Sequence, residues 1–318
     1  MLLSSFLLTS LLVSAPHPAV SVAPSLRGAV QEAGVADGYH PEFIPADASF
    51  VLFLDIARLK TSALGLFWKS QAFEEDREEI RDEIGFDPLD VCSSLTVYSS
   101  GDDTDEALAI LVASGDAVDG FFALLREKGE FEEVRHREVP LLRSDENYLF
   151  VESRGDSRLV LLSEDPDRVL DGLALLRGEG KTLAAEAEGA DLRPGMDSFL
   201  FACARKLSPA MRDFQPTSRV MRLAQSVRFD LGQREELFVS RLDVLTADEA
   251  AARNASDVVR GGLALARLAG GEDIPAEVYD LLGALNVRTE GSHVVLDFRY
   301  PIERLIGLVG SLSESDEG

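Results

Sequence analysis

Residues 50–56, Phe-Val-Leu-Phe-Leu-Asp-Ile, are apolar at both alternating positions, which is the pattern of a central strand buried on two faces. A helical segment follows, and its acidic second part, residues 73–84, runs into Gly85, a natural helix stop. Residues 93–99 and 106–114 then read as a hairpin across the polar turn 101–105. Asp116 is placed to cap the next helix, in which Val118, Phe121, Phe122 and Leu125 share one face at helical spacing. Strands are predicted at 139–143, 148–152 and 158–163. Asp165-Pro166 opens another helix, with proline at a first-turn position where its missing N–H leaves no bond unmade.

The second half runs through a similar order. Residues 199–205 form an apolar strand, and a helical stretch carries Met211, Val220 and Leu223. Residues 227–231 alternate cleanly and pair with 236–245 across Gly232-Gln233-Arg234. Thr246 and Glu249 have the spacing of a capping box that opens a long helix to about Leu268. A short helix begins at Pro275, and a hairpin follows around Gly291-Ser292, with Val294, Leu296, Phe298 and Tyr300 on one face. Pro301 starts the last helix, as Pro166 does earlier.

Segment 94–125 matches 226–265 as strand, polar turn, strand and capped helix. Segment 148–176 matches 286–312 as strand, turn, strand and Pro-initiated helix. The expected fold class is therefore α+β, with two related halves in the order β-α-β-β-α-β-β-α. Each half is expected to be an antiparallel sheet with helices packed on one face. The first repeat spans 45–178 and the second 197–314, joined by a Gly/Ala/Glu-rich linker at 179–196 and preceded by a flexible lead-in at 24–44.

The N-terminus changes the picture from fold to location. Residues 2–15 form an uncharged apolar run built on Leu2, Leu3, Phe6, Leu7, Leu8, Leu11, Leu12 and Val13, shorter than the ~20 residues a membrane span needs. Small residues near Ala19, Ser21 and Ala23 supply a cleavage site, so residues 1–23 are expected to be a signal peptide, with an uncleaved N-terminal anchor as the rival. No cysteine follows the run, which argues against a lipoprotein anchor. A secreted or periplasmic location follows, with no integral membrane domain beyond the signal segment.

Composition sets the partners. Asp and Glu total 56 against 31 Lys and Arg among 318 residues, a formal net charge of −25. That surface repels nucleic acid and anionic lipid headgroups. Only five of the basic residues are lysine, a balance that suits a salty environment and equally a GC-rich genome favouring Arg codons. The 46% hydrophobic content is enough for a sizeable core.

The chemistry-bearing residues are sparse. His17 lies in the signal segment, His40 in the lead-in, and His136 and His293 in different halves, none with a partner at metal-ligand spacing. Each reads as a solvated or hydrogen-bonded residue. There is no GxSxG elbow, and Ser292-His293 are strand neighbours that point to opposite faces. Gly180-Lys181-Thr182 ends like a phosphate-binding loop, but Leu175 stands where that loop needs glycine, and the segment follows a helix rather than a strand. Asp102, Asp103, Asp105 and Glu106 cluster in one turn without the spacing of a calcium loop and read as a solvated hairpin tip. Cys203 sits in an apolar strand as an ordinary core thiol, whereas Cys92 shares alternation with Ser94, Thr96 and Tyr98 and reads as outward. Trp68, with Leu64 and Phe67, reads as a packing contact. The sequon Asn254-Ala-Ser256 falls inside a helix. No catalytic, cofactor-binding or metal-ligating residue is assigned, and no cofactor is expected.

Pro45-Ala-Asp-Ala48 before an apolar strand, and Gly85-Phe-Asp-Pro88-Leu-Asp90 before a hairpin, resemble segments of a loose group of bacterial exported proteins with no established activity. The resemblance covers about residues 45–313 and implies export and an α+β fold, with no site residues. The functional expectation is a non-catalytic exported protein, binding or structural in the cell envelope, with a protein or glycan partner. The alternative is an extracytoplasmic hydrolase, carboxylate-based or metal-assisted.

Overall fold

A computed structural model describes residues 38–69, 77–78, 81, 87–100, 107–129, 131–185, 192–195, 197–205, 223–269 and 276–313. The expected signal segment, the acidic helix at 73–84 apart from three residues, the hairpin tip 101–105 and the helical stretch bearing Met211 and Val220 lie outside the described residues.

In chain order the elements are β1 (Phe50–Asp55), α1 (Ile56–Thr61), α2 (Ala63–Trp68), α3 (Pro88–Val91), β2 (Cys92–Ser99), β3 (Leu108–Ser114) and α4 (Gly115–Lys128). There follow β4 (Glu132–His136), β5 (Val139–Ser144), β6 (Asn147–Arg154), β7 (Ser157–Ser163) and α5 (Pro166–Leu176). The rest comprises β8 (Ser198–Ala204), β9 (Ala224–Arg234), β10 (Leu237–Thr246), α6 (Glu249–Ala269), α7 (Ala276–Leu282), β11 (Leu285–Glu290), β12 (His293–Pro301) and α8 (Ile302–Ser313). The strands form one 12-stranded sheet in the order β11-β12-β10-β9-β8-β1-β2-β3-β7-β6-β5-β4. Every pairing in it is antiparallel. The protein is α+β, and both halves contribute to one sheet, joined where β1 pairs with β8.

The double-sided apolar pattern of β1 has its reason here. Val51 and Phe53 point to one face, where they meet Tyr98, Ile110, Leu161 and Phe201. Leu54 points to the other, with Leu95 and Val160. Burying each such side chain stabilises the fold by about 1.5–3 kcal/mol. Helices cover both faces. Val169 and Leu173 of α5 close the Phe53 face. Val118, Phe122 and Leu125 of α4 close the Leu54 face, and on that same side Ala252, Ala255 and Leu263 of α6 pack against Val244, Val287 and Val294. The expectation of helices on a single face is thereby corrected. A strand apolar on both sides has to be covered twice, and one helix layer would leave Phe53 or Leu54 in water.

Other corrections are local. Tyr39, Phe43 and Ile44 belong to the core, so packing begins ahead of Pro45 and the lead-in is not wholly flexible. The expected linker is also tied down: Leu183 and Leu192 are fully buried, and the Tyr39 hydroxyl donates to the Leu192 carbonyl. The helix after β3 is capped by Ser114, whose Oγ accepts from the Ala117 N–H, rather than by Asp116. Asp248, not Thr246, caps α6 by accepting from the Ala251 N–H at 2.8 Å. The Thr246 hydroxyl instead donates to the Ser292 carbonyl at 2.8 Å. Gly232-Gln233-Arg234 is strand, and the chain reverses at Glu235-Glu236, with Glu235 at φ 54°. β4 and β5 extend the first half beyond the order expected for a repeat.

Cys92 is buried, contrary to the outward reading. A register shift between Cys92 and Ser94 moves it onto the Leu54 face, away from Ser94, Thr96 and Tyr98. Those three are buried on the opposite face. Cys203 lies on the Phe53 face, so the sheet separates the two sulfurs, and both remain thiols. Burial, with the Asp87 carboxylate adding to it, pushes the Cys92 thiol up to about 12. A thiol-specific disulfide reagent at pH 8 is therefore expected to label neither cysteine in the native protein and both in denaturant.

Candidate functional site

The concavity of interest lies where α5 meets the ends of β2 and β3. Asp165 caps α5, its carboxylate accepting from the Asp167 N–H at 2.8 Å, and Pro166 sets the first turn. Val169, Gly172 and Leu173 then face the sheet. Gly172 lets the helix come close: a Cβ there would stand 2.5 Å from Cδ2 of Leu108. Beyond α5, Gly178 (φ 78°) and Gly180 (φ 97°) turn the chain back in a conformation that glycine adopts without strain. The returning strand of chain is pinned to the 44–46 segment. The Ala46 N–H donates to the Lys181 carbonyl at 3.1 Å, and the Leu183 N–H to the Ile44 carbonyl at 2.8 Å.

These constraints enclose a hollow of about 390 Å³, within the range of small-molecule sites. Asp47, Ser100, Arg168, Asp171 and Glu179 supply its polar lining, with Tyr98 at its wall. Leu108 and Leu175 give it an apolar floor. Ser100 Oγ donates to Asp47 at 3.4 Å, and Arg168 lies 3.6 Å from the Asp171 carboxylate. Tyr98 is 6% exposed. Burial, reinforced by Asp171 and Asp47 and opposed by Arg168, raises its phenol well above the ordinary tyrosine range, so it stays neutral. Of the Gly180-Lys181-Thr182 segment that imitates a phosphate loop, Gly180 lines this wall. It follows a helix, as its sequence context requires.

The histidines are brought to carboxylates, although no sequence spacing announced it. His136 Nε2 donates to Asp167 at 2.5 Å, and Arg137 reaches the other oxygen of the same carboxylate at 2.9 Å. His293 Nδ1 donates to Asp243 at 2.7 Å. His40 donates to Glu42 at 2.9 Å and stacks on Phe43. Neither His136 nor His293 lines the hollow. His293 belongs instead to a ladder on the side of β10–β12 away from α6. There Arg241 sits between Asp243 and Asp297, and Arg288 joins Asp297 to Glu290. Among the described residues, no three His, Cys, Asp or Glu side chains converge to hold a metal ion.

Asp90, Asp167 and Glu290 are held below the usual carboxylate range, chiefly by hydrogen bonds from Lys69, His136 and Arg288 respectively. A carboxylate depressed in the folded state stabilises the fold above its unfolded value of 3.8, and that contribution is lost as pH falls through the lower folded value. Asp167→Asn is therefore expected to flatten the acid limb of stability. Thermal melts between pH 2 and 6 should show the variant and the parent converging at the acid end.

Sequence reasoning missed the hollow. The sequence shows Asp47 in the Pro-x-Asp-Ala segment and Arg168 in the Pro-initiated helix, but alternation puts Tyr98 on an outward face. Its only signal was a lone aromatic ending a Ser/Thr alternation, which does not say which face α5 covers.

No family model matches the chain, and no curated protein matches it. It is similar to solved structures of TP0453: crystal form III at 11% identity and TM-score 0.43, spanning 85% of this chain and 97% of that one. Crystal form I matches at 12% and 0.41, spanning 87% and 98%. Crystal form IV matches at 11% and 0.45, spanning 84% and 95%.

Proposed function

We propose that this chain is an exported, non-catalytic protein that works outside the cytoplasm by binding, with a protein or glycan as partner. One observation carries the reading: the described histidines of the two halves and both thiols are engaged in the fold. His136 and His293 are paired with carboxylates outside the hollow, and both thiols are buried on opposite sides of the sheet. The apolar run at 2–15 supports export. Among the described residues, no helix is long and apolar enough to cross a membrane.

The test expresses the full chain with a C-terminal tag in a bacterial host, then measures its mass and its fraction. A shortened chain outside the cytoplasm is the expected result. A full-length cytoplasmic chain would sink the export reading. The alternative, a carboxylate hydrolase, draws on Asp47, Asp171 and Glu179 around the hollow. Turnover of a glycoside or ester substrate that is lost in Asp171→Asn would establish it instead.

We also infer that the two halves descend from one duplicated unit. The strand order supports this. Outward from the joint it reads β1-β2-β3-β7-β6 on one side and β8-β9-β10-β12-β11 on the other, with α4 and α6 following equivalent strands on the same face. On this reading β4 and β5 are an insertion in the first copy.

A further inference from the structure

The sheet is open, and its two edges are β4 and β11. An edge strand presents a row of backbone N–H and C=O groups to any strand that can pair with them. The β11 edge is stopped by a side chain, because Arg260 of α6 donates from Nη2 to the Val287 carbonyl at 2.7 Å. On β4, no group outside the β4–β5 hairpin bonds to the backbone among the described residues. The turn fixes which β4 groups face outward. Two residues join β4 to β5, Arg137 (φ 45°) and Glu138 (φ 66°), both left-handed as a tight hairpin turn requires. The pair flanking such a turn, His136 with Val139, exchanges hydrogen bonds, and bonded and unbonded pairs alternate from there. Glu133 and Arg135 therefore turn their N–H and C=O groups away from β5. Pro140 lies opposite Arg135, in an unbonded pair where its missing N–H costs β4 nothing.

The same two residues carry opposite charges, and this selects a partner. Suppose β4 pairs antiparallel with β4 of a second copy through these outward groups. One register sets Glu133 against the partner's Glu133, and another sets Arg135 against the partner's Arg135; like charges directly opposite are destabilising. The register between them puts the two-fold axis at Val134. Glu133 then faces the partner's Arg135 as a hydrogen-bonded pair, Arg135 faces the partner's Glu133, and Glu132 faces the partner's His136. Val134 is packed on the core from the α5 face, in register with Leu141, and at the axis it meets the partner's Val134. The charged side chains are available for this. Glu132, Glu133 and Arg135 are exposed. Glu133 has no ion pair among the described residues, and the acid nearest Arg135 is Glu138 at 3.8 Å, with both side chains mostly in water.

We propose that β4 is a self-association edge, through which two copies of this chain join antiparallel into one continuous sheet, with Glu133–Arg135 pairs on both sides of the axis. The charge of −25 on each chain opposes any approach of two copies. An edge of alternating sign is where that repulsion is locally reversed, so charge sets both the place and the register of the contact. A contact made by one short strand belongs to the weak class of interfaces, so it forms at high concentration.

The experiment is sedimentation equilibrium of the full chain in about 0.15 M salt, which screens exposed charges beyond roughly 8 Å. Chain concentration is raised to about 1 mM, where even weak association is populated. A monomer–dimer equilibrium is expected, with amide exchange slowing at Glu133 and Arg135 as concentration rises and unchanged along β11. Glu133→Arg and Arg135→Glu are each expected to weaken dimerisation by about tenfold or more, because each sets like charges opposite one another. Mixing these two variants restores complementary pairs and should give a heterodimer of about parental affinity. Combining both substitutions in one chain should recover the homodimer. Arg135→Pro removes an outward N–H without touching the β5 ladder and should abolish association. Where Arg135→Pro fails to fold, the mixture of the two charge variants decides alone. A monomer at every concentration, a mixture that does not recover, or a dimer that persists in folded Arg135→Pro would each overturn the proposal.

Discussion

Phe201→Ala is expected to destabilise the protein by about 3–5 kcal/mol, the cost of removing a large aromatic from a site that cannot collapse. Phe201 is fully buried on β8 and lies directly opposite Phe53 of β1, which is also fully buried. The Tyr39 ring packs edge-on against both, at 6.4 Å from Phe201 and 5.1 Å from Phe53. Arg228 lies over the Phe201 ring at 5.2 Å. This cluster is the joint through which the two sides of the sheet share a core. Its loss should lower the urea midpoint of the whole transition. A variant that unfolds within about 0.5 kcal/mol of the parent, the range of ordinary surface substitutions, would show that the joint carries little of the stability.

Gly232→Ala is the second large effect, with an expected loss of about 1–3 kcal/mol, toward the upper end because the clash is with backbone. A Cβ on Gly232 would stand 2.0 Å from the Asp197 carbonyl oxygen and 2.7 Å from its carbon, closer than real Cβ atoms approach backbone. Neither atom can rotate away, so β8 and β9 must part beside the irregular register at Ser198 and Leu200. Gly261 of α6 is the opposite case. Nothing lies within 4 Å of its added Cβ, so Gly261→Ala should stabilise by up to about 1 kcal/mol through helix propensity. Denaturation curves for the two variants should shift in opposite directions. A shift of the same sign in both would refute the steric account of Gly232.

How far these sites were legible in the sequence differs between them. The apolar character of Phe201 and Phe53 follows from unbroken hydrophobic runs, and the alternation of 227–231 announces a strand through Gly232. Nothing in that strand pattern says that Gly232 is there for a carbonyl on its neighbour, because the carbonyl belongs to backbone 35 positions earlier in the chain (232 − 197 = 35). Cys92 shows the same limit. Simple alternation places it with Ser94, Thr96 and Tyr98, and one register irregularity reverses that assignment. The sequence reads each histidine as solvated or hydrogen-bonded, and the partners of His136 and His293, Asp167 and Asp243, come from other elements.

What the sequence determines alone is whatever depends on neighbours along the chain or on counting: strand and helix positions, the Pro166 helix start, the small number of histidines and cysteines, and the excess of negative charge. Those properties rest on periodicity, backbone chemistry and counting, all local or additive. The tertiary structure alone decides which faces are covered, that β1 and β8 join the halves into one sheet, and that Tyr98, Asp47, Asp171 and Glu179 surround one hollow. Packing brings together side chains separated by scores of residues, and a period of two fixes which side chains share a face without saying what will cover it.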